Sequence, residues 1–215
     1  KIQVQSDGGL IVAIISNAVT IADAGAFSVG LGSQVFIKTL TASSSSDLTF
    51  VHGTSSVILD STYPIYIFKF INIHVATNDA VFRVNFRDGG SNYDATKTTS
   101  FFRTYHAEDD SAAALTYSTS HDLAQSTSAQ DIITSNGSGN DESASGTLTL
   151  YNPSSTTFIK HFLSDCNVYH GGNLAQRLLV GGYCNVTAAI DGVQFAMSSG
   201  NIDAGTIKLY GIKDS

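Results

Sequence analysis

Apolar and polar residues alternate along much of this chain with a period of two, which is the pattern of a half-buried β-strand. In the clearest run, residues 81–87, Phe82, Val84 and Phe86 alternate with polar side chains and should face the core. Further predicted strands cover 35–40, 48–51, 63–73, 101–106, 157–166 and 177–184, and another begins at 148. Clusters of glycine, asparagine and serine separate these runs, so the pattern predicts short strands joined by turns.

The end of the chain predicts two further strands. Residues 193–197 alternate, residues 199–205 are mostly small turn formers, and residues 206–212 form a second run. We expect these two strands to pair as a hairpin that closes the domain. The side chains expected to face inward are Val193, Phe195, Met197, Ile207 and Leu209.

These strands predict one all-β domain over residues 34–215, a jelly-roll-like antiparallel β-sandwich of about ten strands. Run 63–73 is apolar on both faces, which fits a central strand that is covered on both sides or one whose outer face packs on a partner. Residues 118–146 are polar and rich in glycine and serine, so we expect a long surface loop with a mobile tip.

Residues 1–33 differ from the rest because they are rich in Ala, Gly, Val and Ile and almost uncharged. Residues 11–21 fit either a strand or a short helix. Two interpretations of the whole segment stay open, namely extra strands of the main domain or an apolar arm that packs on a neighbouring subunit. Either way, so apolar a segment requires burial.

The charge of the chain excludes several partners. The net charge is −7 and the basic residues are scattered, whereas nucleic-acid binding requires clustered Lys and Arg. An anionic membrane surface is disfavoured for the same reason, and the longest apolar run, residues 10–15, is too short for membrane insertion. We therefore expect no nucleic-acid partner and no membrane insertion.

No motif of catalysis stands out. The chain lacks a nucleophile elbow and a phosphate-binding loop, and most of its few carboxylates occupy turn sequences, which explains them without chemistry. We predict that the protein is not an enzyme and that it needs no cofactor.

The two cysteines, Cys166 and Cys184, are predicted to be free and buried. If residues 171–172 form the centre of a hairpin, position 166 faces about 177 and position 184 faces about 159. The two sulfur atoms then lie on different rungs of the sheet, which is too far apart for a disulfide bond.

The acidic run that follows strand 101–106 is a candidate metal site. It contains His106, Glu108, Asp109 and Asp110. Oxygen-rich loops of this kind can bind Ca²⁺, but this one lacks the glycine-spaced order of a dedicated calcium loop. The alternative is a solvated strand end without a metal.

Four tyrosines near loops, Tyr93, Tyr105, Tyr117 and Tyr169, are candidate glycan-binding residues. An exposed tyrosine ring can stack on a sugar face, while its hydroxyl group bonds to sugar hydroxyls. The alternative is that each ring packs at a strand end and keeps its hydroxyl group in water.

Several segments of the chain resemble a family of marine tailed-phage virion proteins. The segments that carry the resemblance are INIH at 71–74, VNFRDGGS at 84–91, TYHAEDDS at 104–111, DLAQS at 122–126, YNPSSTT at 151–157 and QFAMSSGNIDAGTIKLYG at 194–211. The resemblance covers about residues 35–212, and residues 1–33 have no counterpart in it.

The resemblance implies a non-enzymatic structural protein on the surface of an extracellular virion, as a capsid decoration, a tail fibre or another appendage. Its expected partners are other virion proteins and further copies of itself, with a trimer as one arrangement. The alternative is a lectin-like fibre tip that binds a host-surface glycan. The resemblance assigns no individual binding residues.

Overall fold

The structure, a computed structural model, describes residues 2–7, 10–16, 19–23, 26–27 and 34–213. The chain divides into two compact units, Lys1–Gln34 with Ser215, and Val35–Asp214. The first unit contains strands β1 (Ile2–Asp7), β2 (Leu10–Ser16), β3 (Val19–Asp23) and β4 (Ala26–Phe27). They pair in chain order as a four-stranded antiparallel sheet. Residues 28–33 of the predicted N-terminal segment lie outside the described residues.

The second unit consists of β-strands and the turns between them. Its strands are β5 (Gln34–Thr41), β6 (Asp47–Val51), β7 (Ile65–Val75), β8 (Ala80–Arg87), β9 (Lys97–Ala107), β10 (Ala113–Tyr117), β11 (Gln130–Asn136), β12 (Ala144–Tyr151), β13 (Lys160–His170), β14 (Leu174–Cys184), β15 (Gly192–Met197) and β16 (Ile202–Ile212). The prediction of an antiparallel all-β domain is confirmed, with twelve strands rather than about ten.

All twelve strands belong to one sheet that nearly closes on itself. The main path runs β5-β16-β7-β12-β13-β11-β8-β15-β6, and β14, β9 and β10 branch from β13 in that order. The two ends of the path, β5 and β6, follow each other in the chain. The turn between them bonds to the start of β16, since Ser45 and Ile202 exchange two backbone hydrogen bonds of 2.9 Å. The result is a barrel-like sheet around one core.

Aromatic side chains fill the centre of this core. Phe195 on β15 contacts the rings of Phe50, Phe68, Phe70 and Phe82 at centroid distances of 5.2–6.3 Å, and all five rings are at most 2% exposed. Strand β8 buries alternate residues as the sequence predicts. Strand β7 is central, because it pairs with β12 on one side and with β16 on the other.

The prediction that the last two strands form a hairpin is wrong. Strand β15 pairs with β6 and β8, whereas β16 pairs with β7 and lies beside β5. The predicted inward face is nevertheless right: Val193, Phe195, Ile207 and Leu209 are fully buried, and Met197 is partly buried against the core. Alternation specifies the buried face of a strand but not its neighbour.

The prediction of a long loop over residues 118–146 is also wrong. Strand β11 lies inside this stretch and buries Ile132 and Ile133, and β12 begins at Ala144. The stretch appears polar because β11 buries amide and hydroxyl groups that are hydrogen-bonded. Gln130, for example, accepts a bond from the Thr99 hydroxyl group at 2.6 Å and donates to the His121 carbonyl oxygen at 2.8 Å. Buried polar side chains are tolerated when they are paired in this way.

The prediction for the cysteines is confirmed, because both are free and buried. The predicted register of the hairpin they occupy was one residue off: Cys166 lies opposite Leu178 and Cys184 opposite Lys160. The turn between β13 and β14 contains three residues, 171–173, rather than two. An odd loop length shifts the opposing residue by one position.

Candidate functional site

Five exposed apolar side chains lie together on one side of the sheet. Phe102 on β9 lies opposite both Tyr117 on β10 and Leu179 on β14. Leu163 on β13 lies opposite Gly181, two residues beyond Leu179 on the same side of β14. We call the set the outer apolar face, and its members are Phe102, Leu115, Tyr117, Leu163 and Leu179. They are 36–73% exposed, which is unusual for side chains of this size on four adjacent strands.

Pairs of neighbouring apolar residues are the sequence signal for this face, which the alternation pattern alone does not predict. Phe101-Phe102, Phe162-Leu163 and Leu178-Leu179 each place one residue in the core and the next on the opposite side. Successive side chains of a strand point to opposite faces, so such a pair marks a strand that is apolar on both sides. Only the order of the strands shows that the outward members meet.

A shallow hollow of about 400 Å³ lies within this face, between Phe102, Leu163 and Leu179. Its floor includes Gly181, which has no side chain to fill the space. A Cβ atom at Gly181 would be in ordinary contact with Leu163 Cδ2 at 3.4 Å. Glycine at this position therefore leaves part of the hollow open.

An ion pair borders the hollow. Arg177 donates to Asp165 through Nε at 2.9 Å and through a terminal nitrogen at 2.6 Å. This hydrogen bonding lowers the pKa of Asp165 and raises that of Arg177. Both side chains are about half exposed, so the pair adds little to the stability of the fold. The pair places one positive and one negative group in a fixed geometry at the edge of an otherwise apolar surface.

Tyr117 is held in place at the other edge of the face. Its ring meets Phe102 edge-on at 5.1 Å, and its hydroxyl group donates to Asp122 Oδ2 at 2.6 Å. The hydrogen bond to Asp122 raises the pKa of Tyr117. The two exposed rings and the carboxylate therefore form an ordered group that needs little rearrangement to contact a partner.

A polar groove lies beside the outer apolar face. It consists of two adjoining hollows of about 500 and 590 Å³, which share Asp141 and Ser143. The first is also lined by His106, Glu108 and Tyr169. Within the second, His74 Nδ1 lies 3.3 Å from Asp203 Oδ2. The groove is acidic and open, and its carboxylates do not converge on one point.

The structure spreads out the four residues of the candidate metal site. His106 Nε2 lies 3.1 Å from Asp110 Oδ1, and both side chains are largely exposed. The side chain of Ser111, and then its backbone nitrogen, hydrogen-bond to Asp109 and lower the pKa of Asp109, while Glu108 points towards Tyr169. Within residues 34–213, no three His, Cys, Asp or Glu side chains are grouped so that they could hold a metal ion.

The four candidate tyrosines do not form one site. Tyr117 belongs to the outer apolar face, and Tyr169 lines the polar groove. Tyr105 is half-buried on β9, next to the exposed His106. The ring centroid of Tyr93 lies 6.0 Å from the guanidinium carbon of Arg87. None of the ring contacts found in the described part of the chain joins two of the four.

Comparison with known proteins found no matching family model and no matching curated protein. Among the described residues, no helix has the length and apolar content required to cross a membrane. The outer apolar face and the polar groove are therefore the features on which a function can be argued.

Proposed function

We propose that this protein is a non-enzymatic structural component of a tailed-phage virion, a capsid decoration or a fibre, that assembles through its outer apolar face. The observation that carries the proposal is this face of five exposed apolar side chains on four adjacent strands. Water-exposed apolar area of this kind usually marks a protein–protein interface. The assignment to a virion rests on the sequence resemblance, as does the location outside the cell.

The edge of the sheet supports the same proposal. In the described part of the chain, β10 pairs only with β9, so one side of β10 is an open strand edge. This edge borders the outer apolar face, because Leu115 and Tyr117 both lie on β10. Open edges promote pairing with another chain. Self-assembly would cover the edge and the face together, and we favour further copies of this chain, for example in a trimer, as the first partner.

We regard the twelve-stranded sheet as a variant of the jelly-roll-like β-sandwich that the strand pattern of the sequence predicts. The low charge of the chain, 13% of its residues, suits an interface protein, because fewer charges have to lose their water when the surfaces meet. The proposal assigns no catalytic step to any residue.

The assembly state of the purified chain tests the proposal. We expect an oligomer by analytical ultracentrifugation, and we expect Leu179→Asp and Leu163→Asp to dissociate it while they leave the circular dichroism spectrum unchanged. A charge at either position would be buried without a partner in the interface. Phe158→Asp is the matched control, because Phe158 is 70% exposed but lies in the turn before β13.

A wild-type chain that stays monomeric at high concentration would contradict self-assembly. The virion assignment has its own test, which is immunogold labelling of particles from the phage that encodes the chain. Label on a regular position of the head or tail supports the assignment, and particles without label exclude it.

Glycan binding is the second candidate function, and the exposed Phe102–Tyr117 pair with Asp122 is the observation that favours it. Rings that present an edge or face to water beside a carboxylate can hold a sugar by stacking and hydrogen bonding. On a glycan array, we expect binding that Tyr117→Ala abolishes and that Tyr93→Ala retains. An array without reproducible binding would leave assembly as the sole role of this surface.

A further inference from the structure

Two lysines are fully buried on either side of Cys184. Lys97 on β9 and Lys160 on β13 are its cross-strand neighbours, and all three residues have 0% exposure. A buried ammonium group normally requires a carboxylate partner, or it loses its proton. None of the ion pairs formed by residues 34–213 includes either lysine.

The two lysines differ in what their nitrogen atoms contact. Lys160 Nζ donates to three backbone carbonyl groups, those of Val186, Thr187 and Ala188. These three carbonyl oxygens accept hydrogen bonds from the amine, which explains why Lys160 can be buried. Lys97 Nζ instead donates to the Ala95 carbonyl oxygen at 2.7 Å and to the side-chain amide of Asn85, whose Oδ1 lies at 2.6 Å. Of the two, Lys97 contacts a side-chain amide, whose reaction with an amine releases ammonia and leaves the backbone intact.

The amide of Asn85 is fixed at both ends. Its Oδ1 accepts a second bond, from the backbone nitrogen of Phe86 at 3.0 Å, and its Nδ2 donates to the Thr127 carbonyl oxygen at 3.2 Å. Besides the reacting lysine, the backbone N–H of Phe86 therefore donates to the oxygen atom where negative charge would develop if Nζ added to Cγ. This is the arrangement that stabilises a tetrahedral intermediate of acyl transfer.

Burial also makes Lys97 a better nucleophile. Loss of water around the amine lowers the pKa of Lys97 to about 8, so a sizeable fraction of it is neutral near physiological pH. Cys184, and more weakly Asp94 and Asp88 in the loop between β8 and β9, act to raise the pKa of Lys97 but do not cancel the effect of burial.

We propose that Lys97 and Asn85 are joined by an intramolecular isopeptide bond that forms after the chain has folded. In this reaction Nζ bonds to Cγ of Asn85, the bond from Cγ to Nδ2 breaks, one proton moves from Nζ to Nδ2, and ammonia leaves. Nothing is oxidised or reduced, and no co-reactant is consumed.

The bond would connect two strands that are not hydrogen-bonded neighbours. Asn85 lies on β8 and Lys97 at the start of β9, and these strands occupy separate branches of the sheet beyond β13. A covalent link there would tie the two branches together. This inference concerns the interior of the domain, so it holds or fails independently of the virion assignment and of the outer apolar face.

The intact mass of the purified full chain, measured after denaturation, tests the proposal. We expect a mass one ammonia below the value calculated from the sequence. Trypsin should then release residues 84–87 joined through Asn85 to residues 88–103, because a linked Lys97 is not cleaved. A folded chain with the full calculated mass, which trypsin cleaves after Lys97, would overturn the proposal.

Three variants make the assignment specific. Asn85→Ala should retain the full mass, and Asn85→Asp should lose water instead of ammonia, because the leaving group changes from an amine to a hydroxyl group. Lys160→Met is the matched control, since Lys160 is equally buried and has no side-chain amide partner; this variant should still lose ammonia. If Asn85→Ala loses ammonia as well, the bond lies elsewhere and the proposal is wrong.

Discussion

At the scale of single residues, the buried cysteines give the fold a pH dependence. Cys166 and Cys184 lie in the core, and loss of water around each thiol raises both pKa values from 9.0 to about 12. Lys97 and Lys160 beside Cys184 act in the opposite direction but do not cancel this effect. In the unfolded chain the thiols ionise near their ordinary pKa, whereas in the folded chain they keep their protons. Their contribution to stability is therefore complete below pH 9 and is lost as the pH rises to about 12.

We predict that the free energy of unfolding falls between pH 9 and 12, with each thiol contributing about 1.4 kcal/mol per pH unit. An unlinked Lys97 would offset one thiol's contribution below pH 10.5, because burial lowers its pKa from 10.5 to about 8 and the unfolded chain then binds the extra proton. Urea denaturation at a series of pH values measures this slope. A Cys166→Ala, Cys184→Ala double variant should lose most of the slope. It should keep a shallower fall above pH 10, because burial also raises the pKa of Tyr66 from 10.0 to about 12. A wild-type slope that equals that of the double variant would contradict the prediction.

At the scale of elements, adjacent strands differ in how closely they approach, and two neighbouring glycines of β14 show the difference. A Cβ atom at Gly182 would lie 2.5 Å from Thr99 Cγ2 and 2.8 Å from the carbonyl oxygen of Thr98, both on β9. A Cβ atom at Gly181 points to the other side and meets nothing closer than 3.4 Å. The close packing of β14 on β9 thus requires glycine at position 182 but not at 181.

We predict that Gly182→Ala lowers the free energy of unfolding by about 1–3 kcal/mol, because the backbone of β9 has to shift. Gly181→Ala is the matched control and should change stability by less than about 0.5 kcal/mol, as surface substitutions usually do. Chemical denaturation of both variants measures the difference. Equal losses at the two positions would show that β14 and β9 do not pack as described.

At the scale of the whole molecule, the sheet formed by β5–β16 nearly closes, so the apolar sides of its strands face one common core. Strands β5 and β6 lie at the two ends of the main path and are tied to β16 by the turn at Ser45. Among the described strands β5–β16, near-closure brings the two ends of the path together, which reduces the routes to unspecific pairing. The open edge of β10 then stands out, and it lies beside the outer apolar face. Assembly through β10 and the outer apolar face would bury the open strand edge and the exposed apolar side chains in one contact.

Much of the fold could be predicted from local pattern alone. The buried sides of β8, β15 and β16 follow from alternation, because a strand has only two sides and the core takes the apolar one. The failure over residues 118–146 has a physical reason. Strand β11 buries Gln130, Thr134 and Asn136, and polar residues are indistinguishable from loop residues until their hydrogen-bond partners on other strands are known.

The candidate site was less predictable than the fold. Tyr117 was identified as an exposed aromatic residue, but Phe102, Leu163 and Leu179 were not, although doublets such as Phe101-Phe102 mark their strands. The metal candidates His106 and Asp109 are neighbours in sequence that the structure does not bring onto a common point. Residues that are close in sequence do not necessarily bring their side chains together, because the side chains of adjacent residues point in different directions at a strand end.

By itself the sequence determined the all-β class of the fold, the positions of most strands, the side of each strand that is buried and the free state of both cysteines. Those properties depend on the period of the pattern and on the local turn, which involve residues close together in the chain. Only the tertiary structure decided that β15 and β16 separate, that β9, β10, β13 and β14 gather exposed apolar side chains, and that Lys97 meets Asn85. These depend on the order of strands in the sheet, which is set by the packing of the whole core.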